Sequence, residues 1–454
     1  MDRVRHQSAW GILARNHRLS REQLRVMADA QLQNLLMHAQ EQVPFYRELW
    51  GRHGFDPASV RSTADLARAP MVDKDAIVTA GDSAVDQRRV HDDLDTMSTS
   101  GTSGRSITIR RVPAEMRATR RSYLRTLMLN GGRPWNRAVT VASTWLAKKK
   151  GVIMSVIARA RYIPPTTPIA EQIRLLHEYR PKLLIGQTGG LYLLARELLR
   201  RGETFPLRMV APTGATLMPM MRQAMRDAFG PEPLDLYGAV ELGTISWQCR
   251  HGSYHVDADR MLVEIVDDQG RPVPIGQTGQ VVCTGLYGYT MPLIRYKLLD
   301  VASLLPGTCP CGLSFPMMGP VQGRINDFLP TPRGDLVSPH YLYHIFDHAG
   351  SHPVKEWRII QHATDSMTFE YVPEERFDPR ALEHGMNVIR ERFGPELRLE
   401  VRRVESVPMT PNGKRTCIVS ELKPDVFGGM RPWDGEAASG MSSSLEREYA
   451  AGGV

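Results

Sequence analysis

The sequence lacks any apolar run near the roughly 18–20 residues that a bilayer-spanning helix needs, so a membrane span is not expected. Its start, MDRVRHQSAW, has no apolar stretch of the signal-peptide kind. Cysteine is scarce, with five in 454 residues: Cys249, Cys283, Cys309, Cys311 and Cys417. An odd count in a long chain without a leader argues against a disulfide framework and for reduced thiols in the cytoplasm. Neither sign of charge dominates: 57 Lys+Arg against 49 Asp+Glu leave a net +8. The basic residues form no long block, and Lys148, Lys149 and Lys150 read as a solvated face. No nucleic-acid partner is expected from that distribution. Internal repeats are also missing. What is present, 42% hydrophobic and 23% charged residues, fits a folded globular chain and excludes wholesale disorder. At about 150 residues per domain, the length allows about two to four units.

Residues 21–40 place Leu24, Met27, Ala28, Leu32, Leu35, Leu36 and Ala39 at steps of three and four, which predicts a helix with a core-facing side. Pro44 ends it, and VPFYRELW starts another. From Pro181 to Gly230, short apolar runs (PKLLIGQ, LRMVAPTG) alternate with helical patterns (LYLLARELLRRG, MPMMRQAMRDAFG). That alternation signals a mainly parallel α/β sheet. MLVEIVDD and GQVVCTG then read as strands of an antiparallel, β-rich part. Around Gly323 the pattern changes again: two strands over 355–372, a helix over 379–393, and the strand RLEVRRV. The expected architecture is α/β. A large multilayer αβ domain with a β-rich subdomain covers 1–322, and a small α+β domain covers 323–424. A flexible tail, rich in Gly, Ser and Ala, covers 425–454.

The segment Thr99–Arg105, TSGTSGR, carries chemistry. Its glycines allow a tight bend, and its hydroxyls and backbone N–H groups can donate to phosphate oxygens. Arg105 adds a charge-assisted contact. The pattern is not a Walker P-loop, because G-x-x-x-x-G-K-[ST] is absent. Four more segments follow in order: PTGATL at 212–217, DLYGAVELG at 235–243, PLIRYKLLD at 292–300 with Gly323-Arg324, and PNGKR at 411–415. With these five segments the chain resembles the adenylate-forming superfamily, closest to its phenylacetate-CoA ligase and CapK-like branch. The stretch VPFYRELW…LARAPMVDKDAI also resembles that branch, and the likeness covers roughly residues 20–424.

The resemblance implies a role for each matching residue. Thr99, Ser100, Gly101, Thr102, Ser103 and Gly104 would wrap the β- and γ-phosphates of ATP, with Arg105 standing where the family usually has Lys. Tyr237 would stack on adenine, while Asp235, Gly238 and the backbone near Gly214 and Ala215 line the base. Ala215 replaces the acid that is commoner in that segment. Glu241 would meet Mg²⁺, a hard cation suited to a carboxylate. Asp300 would grip the ribose hydroxyls, Arg324 would make a second ribose or phosphate contact, and Asp327 marks a hinge to a mobile C-terminal domain. Lys414 would bridge the attacking carboxylate and the α-phosphate. Lys414, Glu241 and Thr102 are thus the implied catalytic groups, and a homodimer is implied by the habit of this branch.

Cys249, His255, Cys309 and Cys311 offer a Cys/His ligand set of the kind that holds structural Zn²⁺. His251 competes with His255, which is preferred because it matches the position found in relatives of this branch. Cys283 and Cys417 read as core residues. The implied reaction is ATP-dependent activation of a small aryl or acyl carboxylic acid to an acyl-adenylate, followed by transfer to the thiol of CoA with loss of AMP. Two alternatives share these segments: an adenylate-forming enzyme with an amine, a carrier-protein thiol or another small nucleophile as acceptor, and a non-catalytic binding scaffold. Glu241, Asp300, Arg324 and Lys414 argue against the scaffold. The acid pocket is expected near residues 140–146, 185–191 and 212–217, where Trp145, like Tyr237, would favour an aromatic acid.

Overall fold

In the computed structural model the described residues are 15–98, 107–141, 159–324, 328–334, 336–337, 339–343, 345–346, 353–408 and 417–422. Helix α1 (Arg21–Gln42) begins at a capping box: the Ser20 hydroxyl accepts the Gln23 N–H, and the Gln23 side chain accepts the Ser20 N–H. Its buried residues include the expected Leu24, Ala28, Leu32, Leu35, Leu36 and Ala39, with His38 added and Met27 only half-buried. Pro44 cannot donate into a continuing helix but suits a first turn, so α2 (Pro44–Arg52) starts there. Helix α3 (Lys74–Ala80) follows, capped by the Asp73 side chain.

Strands β1 (Asp95–Ser98) and β2 (Thr108–Arg111) pair antiparallel, and α4 (Pro113–Leu129) follows directly. The α/β part then runs β3 (Ala138–Val141), β4 (Ala160–Ile163), α5 (Ile169–Tyr179), β5 (Leu183–Gln187), α6 (Thr188–Arg200), β6 (Met209–Thr213), α7 (Pro219–Phe229) and β7 (Leu236–Ala239). After it come β8 (Gly243–Gln248), β9 (Tyr254–Val256), β10 (Met261–Val266), β11 (Thr278–Gly285), β12 (Tyr296–Leu305) and β13 (Met317–Met318). In the main sheet the order is β10-β11-β12-β13-β9-β8-β7-β6-β5-β3-β4. Pairing is parallel from β4 through β7 and antiparallel from β7 to β8 and β9. The change falls where helices stop alternating with strands, since a parallel crossover needs a helix and a hairpin does not. β5 is apolar almost throughout because helices cover both faces of a parallel sheet.

The described residues divide into two compact units, the first made mainly of residues up to Gln322 and the second of residues from Gly323 onward. In the second are β14 (Gly323–Arg324), β15 (Leu329–Pro330), β16 (Leu336–Val337), α8 (Pro339–Tyr343), β17 (Val354–Ala363), β18 (Ser366–Pro373), α9 (Pro379–Phe393), β19 (Arg398–Arg403) and β20 (Ile418–Ser420). The last four strands form one sheet in the order β19-β18-β17-β20. Ile359 and Phe369 of that sheet and Met386, Ile389 and Phe393 of α9 are buried. Gly385 of α9 has no room for a side chain, because a Cβ there would lie 2.2 Å from the Phe346 ring. Among the described residues, no helix is long and apolar enough to cross a membrane.

Candidate active site

Of the described motif segments, PTGATL lies at the carboxyl end of the parallel strand β6, and DLYGAVELG runs beside it through β7. Thr213, the last residue of β6, is paired with Gln187 on one side and Leu236 on the other. Its hydroxyl donates to the Leu236 carbonyl at 3.0 Å, which sets PTGATL beside DLYGAVELG. Open α/β sheets bind ligands at the carboxyl edge of their parallel strands. Gly214 takes φ +81°, a left-handed turn that suits glycine, and both it and Ala215 are exposed. The Ala215 carbonyl accepts from the Thr188 hydroxyl at 3.0 Å.

Tyr237 of β7 and Asp300 of β12 are both half-buried, and the tyrosine hydroxyl donates to Asp300 Oδ2 at 2.6 Å. Two residues read separately as base and ribose contacts therefore stand together. Leu299, just before Asp300, holds φ +62°. A non-glycine residue costs about 1 kcal/mol or more there, and such strain concentrates at functional sites. β7 is bulged between Tyr237 and Gly238, and a Cβ at Gly238 would lie 2.6 Å from the Gly243 carbonyl oxygen. Asp235 is engaged differently. Its carboxylate accepts from the Tyr254 hydroxyl at 2.6 Å, and its main-chain carbonyl from the Gln248 N–H at 2.9 Å. Burial pushes its carboxyl above the usual range despite that donor and the Arg222 charge. Asp235 thus braces β7 against β8 and β9.

Glu241 lies on the turn from β7 to β8, half-buried, with the Tyr296 hydroxyl donating to Oε1 at 3.3 Å. Arg324 is exposed on β14. Thr99–Gly104, Arg105, Trp145, Asp327 and Lys414 lie outside the described residues.

The sequence gives no sign of a buried charged network that the fold assembles. Arg125 of α4, 1% exposed, donates to Asp257 and to both oxygens of Asp259, at 2.6 and 2.8 Å for the latter. Asn16 adds a donor to Asp259 at 2.8 Å, and Ser122 one to Asp257. Arg260 reaches Asp257 at 3.2 Å, and Glu115 accepts the N–H groups of Tyr289 and Thr290 at 2.7 and 2.8 Å. Removing one member of such a set strands a buried charge, at a cost of about 3–5 kcal/mol.

Beside it, ligand atoms of Cys249, His255, Cys309 and Cys311 all lie within 4.8 Å of one another. Cys249 and Cys309 Sγ are 3.6 Å apart, too far for a disulfide and near the about 3.8 Å between sulfurs on one tetrahedral zinc. His255 is fully buried, and its Nδ1 donates to the Phe315 carbonyl at 3.2 Å, which leaves Nε2 facing Cys311 Sγ at 3.3 Å. Burial holds its pKa below the ordinary histidine value, so the imidazole is neutral, as a metal ligand must be. The donor set fits a closed tetrahedral zinc site. The exposed His251 is outside the group: its Nε2 accepts from Arg250 at 3.3 Å. The cluster joins the β8–β9 hairpin, which holds Asp235, to the segment between β12 and β13, and β12 carries Asp300.

Residues 329–421 match the CapK C-terminal domain family. A phenylacetate-coenzyme A ligase of Thermus thermophilus is 29% identical over 330 residues, 68% of this chain and 72% of that protein. Over two thirds of its length the chain is similar to phenylacetate-coenzyme A ligases. Its fold is that of the 2-hydroxyisobutyryl-CoA ligase and MatB structures. The crystal structure of 2-hydroxyisobutyryl-CoA ligase in the postadenylation state, in complex with R3-HIB-AMP, superposes with a TM-score of 0.73 at 21% identity, covering 93% of this chain and 91% of that one. ATP-bound MatB from Rhodopseudomonas palustris gives 0.53 at 16% identity, over 70% and 66% of the two chains.

Proposed function

We propose that the protein is an AMP-forming acid–thiol ligase that activates an aryl or acyl carboxylic acid with ATP and passes the acyl group to CoA. The observation that carries the reading is the Tyr237–Asp300 hydrogen bond at the carboxyl edge of the parallel strands, with Glu241 on the turn that follows β7, in a chain similar to the phenylacetate-coenzyme A ligases.

In the first step a carboxylate oxygen of the acid attacks the α-phosphorus of ATP. The new O–P bond forms as the bond to the bridging oxygen breaks, and pyrophosphate leaves. In the second step the CoA sulfur, having lost its proton, attacks the acyl carbon and AMP leaves. Tyr237 offers its ring to the base, and Asp300 offers two acceptors to the ribose diol, oriented by the Tyr237 hydroxyl. Lys414 is proposed to steady charge that builds in the transition state; preorganised charge of this kind is usually the largest catalytic term. Glu241 fits one ligand position of a Mg²⁺ ion, being a half-buried carboxylate on a turn beside the nucleotide residues. When bound, that ion would neutralise phosphate charge. Cys249, His255, Cys309 and Cys311 would hold Zn²⁺, whose part is structural because four protein ligands leave no open position.

The test is AMP formation by the purified protein with a panel of acids, in the presence of CoA, without it, and with amines in its place. Acid-dependent AMP release that needs CoA supports the reading. Release driven by amines alone would move the acceptor assignment, and absence of AMP with every acid would end it.

A further inference from the structure

Arg111 has no place in the reaction just described, yet it is one of the most buried charges near the site. It ends β2 and is only 7% exposed. One guanidinium nitrogen, Nη2, donates to the main-chain carbonyl of Glu241. The other, Nη1, donates to the Thr119 hydroxyl at 3.3 Å. The same hydroxyl accepts from Arg260 at 3.1 Å and itself donates to the Glu115 carbonyl at 3.3 Å. Thr119 also closes on the far end of the turn: at Gly243, where φ is +78°, a Cβ would lie 2.7 Å from its methyl group. Below the turn is a cavity of about 20 Å³ bounded by Arg111, Glu115, Thr119, Leu242 and Arg260.

We infer that Arg111 is a positioning residue that fixes the Glu241 turn, so that the Glu241 carboxylate is held ready for a divalent cation on ATP. This rests on the function proposed above. Burying a guanidinium is costly, and an apolar side chain of similar volume would fill the space with less loss. Here the group binds two partners at once, one on the turn and one on α4. Its planar fork can span both, whereas a lysine ammonium is a point charge that cannot. The turn is then gripped at two levels, main chain by Arg111 and side chain by Tyr296. Burial lowers the Arg111 pKa to about 10, which still leaves it charged at neutral pH.

The test compares Arg111→Met, Arg111→Lys and Arg260→Met with the unaltered protein. Arg260 is as buried and lines the same cavity but has no bond to Glu241, so it controls for packing. ATP affinity is measured by calorimetry with and without Mg²⁺, alongside thermal unfolding and the Mg²⁺ dependence of adenylation. Arg111→Met is expected to keep the Mg²⁺-free affinity and lose about tenfold or more of the gain that Mg²⁺ brings, the usual size for a supporting group behind a metal ligand. Its kcat should fall more than its KM rises. Arg111→Lys should fall between, and Arg260→Met should melt earlier yet keep the gain. A full Mg²⁺ gain in Arg111→Met would overturn the inference, and so would an equal loss in Arg260→Met. Should Arg111→Met not fold, a full gain in Arg111→Lys overturns it instead. Unaltered protein that binds no ATP would remove the proposed function and this inference together, whereas ATP binding with a Mg²⁺ gain untouched by Arg111 substitution removes this inference alone.

Discussion

The hydroxyl of Tyr237 donates to Oδ2 of Asp300 across 63 residues of chain, at 2.6 Å. That bond fixes where the carboxylate points, and it can be removed without touching the ring. Tyr237→Phe keeps any stacking surface and frees Asp300. A hydrogen bond to a charged group contributes about 1.5–3 kcal/mol, so KM for ATP should rise about tenfold with the melting temperature little changed. Steady-state kinetics at saturating acid checks this. An unchanged KM would detach the pair from nucleotide binding.

Gly243 marks the strained end of the Glu241 turn. Gly243→Ala must accept φ +78° and a Cβ 2.7 Å from the Thr119 methyl. A loss of about 1–3 kcal/mol is expected, read from urea midpoints. Thr119→Ser removes that methyl and keeps the hydroxyl. The double variant should recover the steric part only, so a double-mutant cycle should show positive coupling.

The cysteine and histidine group predicts about one zinc per purified chain by elemental analysis. Cys309→Ser should lose the metal and lower the melting temperature by several degrees or more, because metal binding at such a site is folding free energy. It should also weaken ATP binding, since the group ties the β8–β9 hairpin that braces Asp235 to the segment following β12, the strand that carries Asp300. Zinc-free protein with unchanged stability would contradict the assignment.

His38 predicts a pH dependence. Burial holds its pKa below 6.5 against the pull of the Tyr289 carbonyl and the Asp86 charge. The unfolded chain then binds the proton more readily than the folded one. Stability is fully present above about pH 6.5 and falls as pH drops below it. His38→Gln should flatten that part of the curve in denaturant titrations at pH 5–7.

Legibility in the sequence followed the physics of each element. β5, α6, β6 and α7 were plain, because buried parallel strands and amphipathic helices write their burial into local pattern. β12 was not, since Leu299 at φ +62° and the charged Asp300 interrupt it. β13, two residues long, has no pattern to find. Arg125, Asp257 and Asp259 carry no local pattern that marks them as partners, and only the tertiary fold brings them together. Asp235 was expected at the base, but its carboxylate faces Tyr254, a contact across a hairpin that spacing alone does not disclose. His255, and not His251, stands with the three cysteines because β9 turns it inward.

The most direct test of the account is single-turnover chemistry with ATP labelled at the α-phosphate. With a suitable aryl or acyl acid and no CoA, the label should move into an enzyme-held acyl-adenylate with one pyrophosphate released, and CoA should then discharge it as AMP. Label found in ADP, or pyrophosphate release that ignores the acid, would contradict it.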